Sequence, residues 1–345
     1  TVGLAWALHW TGETGEAIRL LDQNPDNSDV ALARTAIESD RRARGLLTYS
    51  YRDNNTDGEF SLLRGMAYGW SRYRTQLGFD AAVGRLTNDP FPRIDRTEIV
   101  GTLWHQFNST FGLMLRPGYQ WNRYPSIVPP GKTDPTENFD LMIWDAYLTA
   151  RRDWLRLDIG SARTTLDIPV ALYNHIYITG GNVGLDWRLN PQVITDWEVR
   201  YSEYSDGNQR FDFQQGFHWT PKWRPFTSRS NYVVLTQGLQ YFNFSETLDN
   251  GYFDPDEYIV IFGGIRLVTD LSTRTRLDVY GRLGSERQTG LDWQAVSAFG
   301  IALRVHARSA VFFTAGYDYN DSSVASPGGF ESHAFYITAD MGLRR

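Results

Sequence analysis

The 345 residues contain no cysteine, so neither a disulfide framework nor a thiolate metal site is available. Lysine is nearly missing: Lys132 and Lys222 are the only two, and the other cations are arginines. The net charge of -6 leaves no basic footprint for nucleic acid. No run of 18 apolar residues exists, which rules out a transmembrane helix. The histidines are His9, His105, His175, His218, His306 and His333, and no two stand at metal-ligand spacing. A Gly-x-Ser-x-Gly elbow and a phosphate-cradling glycine loop are also missing, so the sequence suggests neither an enzyme nor a bound cofactor.

What the chain has is aromatics, 14% of residues with 12 Trp, 19 Tyr and 19 Phe, and a persistent alternation of polar and apolar positions. In Leu155-Arg156-Leu157-Asp158-Ile159-Gly160 the apolar side chains fall on one face and the polar ones on the other. This pattern recurs about sixteen times. The predicted strands are 44–53, 59–71, 76–86, 96–108, 111–122, 139–151, 153–164, 176–190, 192–203, 208–219, 231–244, 257–269, 273–286, 293–306, 309–319 and 331–343. Each is long enough to cross a bilayer at a tilt, which takes roughly 9–11 residues. The mean hydropathy is negative, but in a barrel only every second residue meets lipid. The expected fold is an all-β, transmembrane, 16-stranded antiparallel outer-membrane barrel.

The links give an independent test, because bacterial barrels have short periplasmic turns and longer outer loops. The links at 71–74, 108–110, 152–153, 190–191, 271–272 and 307–308 are brief, and those at 87–95, 123–138, 165–175, 245–256, 287–292 and 320–330 are longer. Two fit less well: 54–58 is short for an outer loop and 221–230 is long for an inner turn. A propeller would show a blade repeat of about 40–50 residues, and none recurs.

Residues 1–43 read differently. Leu4, Ala7 and Leu8 make one helical face, and Ala17, Ile18, Leu20 and Leu21 another, separated by a Gly12–Gly15 break. Pro25 stops this helix, and Val30, Leu32, Ala33 and Ile37 mark a third. The Glu16-Ala17-Ile18 step with its small residues and following proline resembles a tetratricopeptide repeat, at shorter spacing. One such repeat needs neighbours to stack on, so the segment is expected to be the end of a longer helical array. The alternative is a helical cap belonging to the barrel. The expected domains are therefore 1–43, helical, and 44–345, the barrel.

Alternation also sorts the wall. Charges on the lipid face of a barrel cost about 2–4 kcal/mol for arginine at midplane, so Arg116, Arg156, Asp158, Asp186, Arg188, Glu198 and Arg282 are assigned to the lumen. Most should brace the wall as arginine–carboxylate pairs. The two signs are roughly balanced, which favours a neutral or weakly charged solute. Tyr147, Trp154 and Tyr280 are the inward aromatics that could stack on sugar rings, or simply fill gaps in the wall. In the loop at 245–258, Asn250-Gly251 signals a turn and Pro255 stiffens the backbone. Tyr252, Phe253, Asp254 and Pro255 are candidates for a gating loop that, with 123–138, narrows the mouth; the alternative places the two aromatics in the outer membrane girdle.

A helical repeat followed by a sixteen-stranded barrel resembles the layout of bacterial exopolysaccharide exporters. Asn250-Gly251-Tyr252-Phe253-Asp254-Pro255-Asp256-Glu257-Tyr258 looks like the Gly-Tyr-Phe-Ser-Pro-x-x-Tyr segment of the outer-membrane porins that export cellulose (the cellulose synthase C type), with Asp254 in place of the serine. The turn Arg188-Leu189-Asn190-Pro191 also resembles that group, and the likeness to exporters of poly-N-acetylglucosamine and Pel is more distant. The ending Leu343-Arg344-Arg345 departs from the terminal aromatic of many such barrels. The resemblance implies an outer-membrane channel that passes a secreted polysaccharide and is surrounded by outer-membrane lipid and lipopolysaccharide. It also implies a helical segment on the periplasmic side that meets periplasmic or inner-membrane synthase components. A reading from another class is an anchor or assembly barrel that holds a protein partner or filament.

Overall fold

A computed structural model of the chain describes residues 44–342 except 56–57, 72–73, 89–90, 126–136, 223–230, 249, 309–310 and 323–329. Ahead of the barrel it describes residues 2, 5, 14–23, 29–30, 33–34, 37 and 43. Sixteen strands follow one another: β1 (Arg44–Asn54), β2 (Gly58–Ser71), β3 (Thr75–Asn88), β4 (Phe91–Gln106), β5 (Phe111–Arg123), β6 (Phe139–Arg152), β7 (Leu155–Thr165), β8 (Tyr177–Asn190), β9 (Val193–Tyr204), β10 (Gln209–Trp219), β11 (Tyr232–Phe244), β12 (Tyr258–Ser272), β13 (Thr275–Gln288), β14 (Gln294–Arg308), β15 (Val311–Ser322) and β16 (Phe330–Gly342). Every neighbour is antiparallel, and β1 pairs with β16 from Arg44↔Gly342 to Asn54↔Ser332, which closes the barrel. Closure matters because unpaired backbone amides cannot be left in hydrocarbon.

The alternation is realised in three dimensions. Leu77, Phe79, Val83, Leu148, Ile159, Leu283, Phe299, Ile301, Phe313, Phe335 and Ile337 are all exposed on the outside. An apolar surface of this extent is the lipid-facing belt of a transmembrane barrel. Arg116, Arg156, Asp158, Asp186, Arg188, Glu198 and Arg282 stand at the alternate register positions, on the face opposite these exposed apolar residues.

The start of β1 and the end of β16 lie at one end of the barrel with most of the short turns and the long β10–β11 link, and the other longer links lie with the short β1–β2 link at the opposite end, here the loop end. One long link dissolves. The stretch 87–95, rich in loop residues, is expected to be open loop, yet β3 runs to Asn88 and β4 starts at Phe91. The strands continue because the inward residues Leu86 and Ile94 are buried in an apolar cluster beyond the wall itself. Conversely 165–175, expected to be plain loop, contains a short helix, Pro169–Tyr173.

In the N-terminal segment, α1 (Thr14–Leu21) is helical, and Ala5, Ala17, Ile18, Leu21, Val30, Ala33 and Ile37 form a small core. The short helix Pro169–Tyr173 is α2. Gly15, expected to break the helix, lies inside α1, because Thr14 opens it. The expected Gly12 break and Leu4, Ala7, Leu8 and Leu32 lie outside the described residues.

An Ile301→Arg substitution, in the middle of β14 and facing lipid, should lower folding stability in liposomes by about 2–4 kcal/mol. Ser50→Arg, facing the lumen from β1, should cost much less. Denaturant titration of the two variants side by side checks the assignment of faces.

Candidate functional site

The inward face divides into a wall lined by ion pairs, a set of flat aromatic rings, and an apolar closure at the loop end. The ion pairs form a ladder. Asp80, 1% exposed, lies between Arg64 (3.4 Å) and Arg116 (3.8 Å). Arg64 also reaches Glu98 at 3.0 Å and Arg116 reaches Asp145 at 3.5 Å, so alternating charges run from β2 to β6. Arg116 therefore braces the wall. Arg156 pairs with Asp158 at 2.8 Å, and Arg200 with Glu198 at 2.8 Å. The guanidinium of Arg282 faces the ring of Phe262, 5.1 Å from its centroid. Arg188 is exposed at the terminal end of β8, with no ion pair among the described residues.

The balance of charge is local. Around a recess of about 680 Å³ on β4–β10 stand Asp158, Asp186, Asp196 and Glu198, with Arg156, Arg200 and His218. Asp186 and Asp196 are direct cross-strand partners, an arrangement that costs energy unless a cation is near. His218 supplies one donor, with Nε2 2.5 Å from Asp196 Oδ1.

The rings follow one construction, which alternation alone does not disclose. Tyr147 lies directly across from Gly160, Phe262 from Gly238, Tyr280 from Gly300 and Tyr336 from Gly316. In each case a Cβ on the glycine would come within 2.2–2.4 Å of the ring. The glycine thus vacates the space in which the neighbour's ring lies down against the wall. Phe262, Tyr280 and Tyr336 line one recess of about 370 Å³, and Tyr280 Oη is fixed by donating to Asp318 at 2.9 Å. Trp154 does not belong to this set. It lies in the two-residue turn between β6 and β7 and is half exposed at the terminal rim, so its ring cannot line the channel wall.

The closure is built on α2. Pro169 fits the first turn, where its missing N–H costs nothing. His175, at φ 54, ends the helix in the left-handed region, with its amide bonded to Leu172 O. Leu172 and Tyr173 bury against Leu86, Ile94 and Val100 of β3–β4 and Phe139, Leu141 and Ile143 of β6. Ala171 and Ile176 bury against Tyr204, Phe242, Phe244, Tyr258 and Val260 of β9, β11 and β12. All these wall residues point inward, so the segment bridges opposite walls across the lumen. Burying Leu172 alone contributes about 1.5–3 kcal/mol.

Polar bonds then fix its position. Tyr124 Oη donates to Leu172 O at 2.7 Å, and Tyr173 Oη to Pro92 O at 2.6 Å. Arg96 pairs with Asp167 and donates to Thr165 Oγ1 at 3.2 Å. Burial raises the pKa of Tyr124 and pushes that of Tyr173 up to about 12.

The loop before β12 completes the closure. Tyr252 stacks on Tyr204 with centroids 4.9 Å apart and donates to Asp206 at 2.7 Å. Burial, then this bond, raises its pKa. Phe253 packs edge-on against Phe242 and Tyr258. The two aromatics therefore point inward, not into an outer girdle. Asp254 accepts from Leu248 N at 2.5 Å, and Pro255 O accepts from Phe244 N at 3.3 Å, tying the loop to β11. Gly251, at φ +87, meets Val170 of α2, and Asn174 Nδ2 donates to Asn250 O at 3.2 Å. Of the other expected mouth loop, 126–136 lie outside the described residues.

No protein-family model matches the chain. No curated protein matches it either. Among solved structures, one described as a bacterial polysaccharide outer membrane secretin is similar with TM-score 0.68 at 13% identity, over 88% of this chain and 99% of that one. CdiB from Acinetobacter baumannii is similar with TM-score 0.54 at 10% identity, over 87% of this chain and 60% of that one. At these identities the likeness is one of fold: a closed sixteen-stranded barrel of the outer-membrane type.

Two outcomes test the closure. Gly251→Val puts a branched Cβ at positive φ and into Val170, so it should detach the loop from α2 and raise ion conductance in planar bilayers. The three tyrosines give a pH window. Their folded pKa values lie above the ordinary value of about 10, so their support is full below pH 10 and is lost as pH rises towards 12 and beyond. Conductance should stay constant up to about pH 10 and climb above it.

Proposed function

We propose that the barrel is a channel that exports a neutral or weakly charged polysaccharide, cellulose-like in its flat pyranose backbone, from periplasm to cell exterior. The loop end faces outward, and the N-terminal helical segment, the end of a tetratricopeptide-like array, faces the periplasmic or inner-membrane synthase. The observation that carries this reading is the set of inward rings laid flat on glycines. A flat, half-buried ring offers its electron-rich face to the axial C–H bonds of a sugar without gripping it. Such platforms spaced along the wall suit a polymer that slides. The local surplus of carboxylates near Asp186 and Asp196 argues against a polyanion as cargo. The solved polysaccharide secretin of similar fold supports the same direction. The alternative, an anchor that holds a protein partner, also accommodates a closed mouth, but it gives the rings no task.

In this reading α2 and the loop 245–257 form a gate that is closed at rest. Tyr147→Ala, Tyr280→Ala and Tyr336→Ala, singly and together, should reduce polymer secretion, while Tyr→Phe at each should preserve it. Secretion from cells expressing each variant, beside cello-oligosaccharide binding to the purified barrel, reads both effects. Unchanged secretion and binding in the triple alanine variant would remove the platform role.

A further inference from the structure

The outside of the barrel carries its own charge pattern at the loop end. On β3–β7 the outward positions above the apolar belt hold Arg85, Arg93, Arg123 and Arg163, with Asp95 and Asp140 between them. Counting these strand residues, four arginines against two aspartates leave a surplus of two positive charges. Around the rest of the rim the described outward strand residues are Asp53, Glu59, Glu203, Asp321 and Glu331 against Arg287, a surplus of four negative charges. Among the described strand residues one sector is therefore cationic on an otherwise acidic rim, with Glu137 of the β5–β6 link beside it, in a protein of net charge -6.

The arginines are positioned, not scattered. Arg85 (3.5 Å) and Arg93 (2.7 Å) share Asp95, so one of their charges stays uncompensated. Arg123 is held by Asp140. Arg163 has no carboxylate within ion-pair distance among the described residues. Its guanidinium is held between rings, 4.2 Å from the centroid of Tyr177 and 5.3 Å from that of Trp144. Directly below come Tyr119, Met142 and Val83, exposed as lipid-facing residues are. Tyr119 and Trp144, on the outward face at this height, mark the membrane interface, where headgroups lie, while Tyr177 reaches in to the inner apolar cluster.

We propose that this sector binds a phosphate-bearing lipid headgroup of the surrounding leaflet, with the acyl chains running down the apolar wall below. Arginine's planar fork matches phosphate oxygens in pairs, and the site opens sideways onto lipid, which favours a membrane-resident phosphate over one free in solution. Arg163, propped by its two rings, and the uncompensated Arg85–Arg93 pair supply the cations. The inference is independent of what passes through the lumen.

The test uses the whole protein in nanodiscs of phosphatidylcholine doped with lipid A, compared with the same lipid A after removal of its phosphates. Native mass spectrometry counts retained molecules, and fluorescent lipid A gives an affinity. The proposal expects retention of phosphorylated lipid A alone and affinity about fivefold weaker for each arginine removed, in Arg93→Ser, Arg123→Ser and Arg163→Gln. Arg287→Ser on the far rim serves as the control and should bind as the parent does. Near-equal retention of the dephosphorylated lipid, or equal loss from Arg287→Ser, would overturn the proposal. Displacement by millimolar inorganic phosphate would show a soluble anion site and overturn the assignment to lipid. Because the four variants are surface changes, parent-like thermal unfolding of each in detergent would confirm that a lost signal is not misfolding.

Discussion

The whole molecule follows from one constraint: in hydrocarbon every backbone amide needs a partner within the protein. Strands meet it only when the last pairs with the first, as β16 does with β1. Once the ring is closed, alternation decides everything else. Within the membrane belt the outward positions meet lipid and turn apolar, so charge at that height is driven inward. Inside, charges on neighbouring strands stand close enough to neutralise one another. The Glu98–Arg64–Asp80–Arg116–Asp145 ladder is therefore a consequence of closure as much as a contributor to it. Arginine suits this place better than lysine because one fork can serve two carboxylates, as Arg64 and Arg116 each do.

A ring of sixteen strands encloses more space than the wall's own side chains fill. The loop end resolves this by folding a link inward. The segment 166–176 needs apolar wall to sit on, and inward positions of β3, β4, β6, β9, β11 and β12 supply it at that level. The lower lumen carries the ion pairs and the rings. The lumen is thus two environments stacked along one axis, a charged shaft and an apolar closure. A closure made of a five-residue helix, a few tyrosine hydroxyls and one loop can be displaced without disturbing the strand ladder that holds the barrel.

Strand number, faces and the closing of the barrel were legible in the sequence, because a two-residue period repeated over a long chain averages out local errors. The plug was less so. Ile168-Pro169-Val170-Ala171-Leu172-Tyr173 is an apolar run in what alternation leaves as a loop, and loops that meet only water do not carry such runs. Pro169 masks that signal, because a proline that opens a helix also reads as a loop residue. Link 87–95 failed for the opposite reason: Asn, Asp and two prolines read as loop, while the burial of Leu86 and Ile94 on a distant segment kept the strands paired. Trp154 stands one residue ahead of β7, in a turn where alternation no longer assigns a face. The inward turn of Tyr252 and Phe253 depended on whether inward apolar wall existed at that height, which is a property of the assembled ring.

The ring-and-glycine pairs show the limit most clearly. Glycine inside a strand weakens it, through entropy and the loss of a packing side chain. Read along one strand, Gly160, Gly238, Gly300 and Gly316 are therefore liabilities without explanation. Read across the ladder they are not, because each stands opposite an aromatic that covers it. The ring shields the bare backbone, as aromatic side chains do for glycines in built sheets, and the glycine lets the ring lie flat where any side chain would tip it into the lumen. Both halves are needed to keep the shaft open and lined at once. The pairing depends on register, and register is set by the hydrogen bonds of the closed sheet; a single strand's sequence does not contain it. What a sequence of this kind yields is which residues face the lumen; which of them work together is decided only when the ring closes.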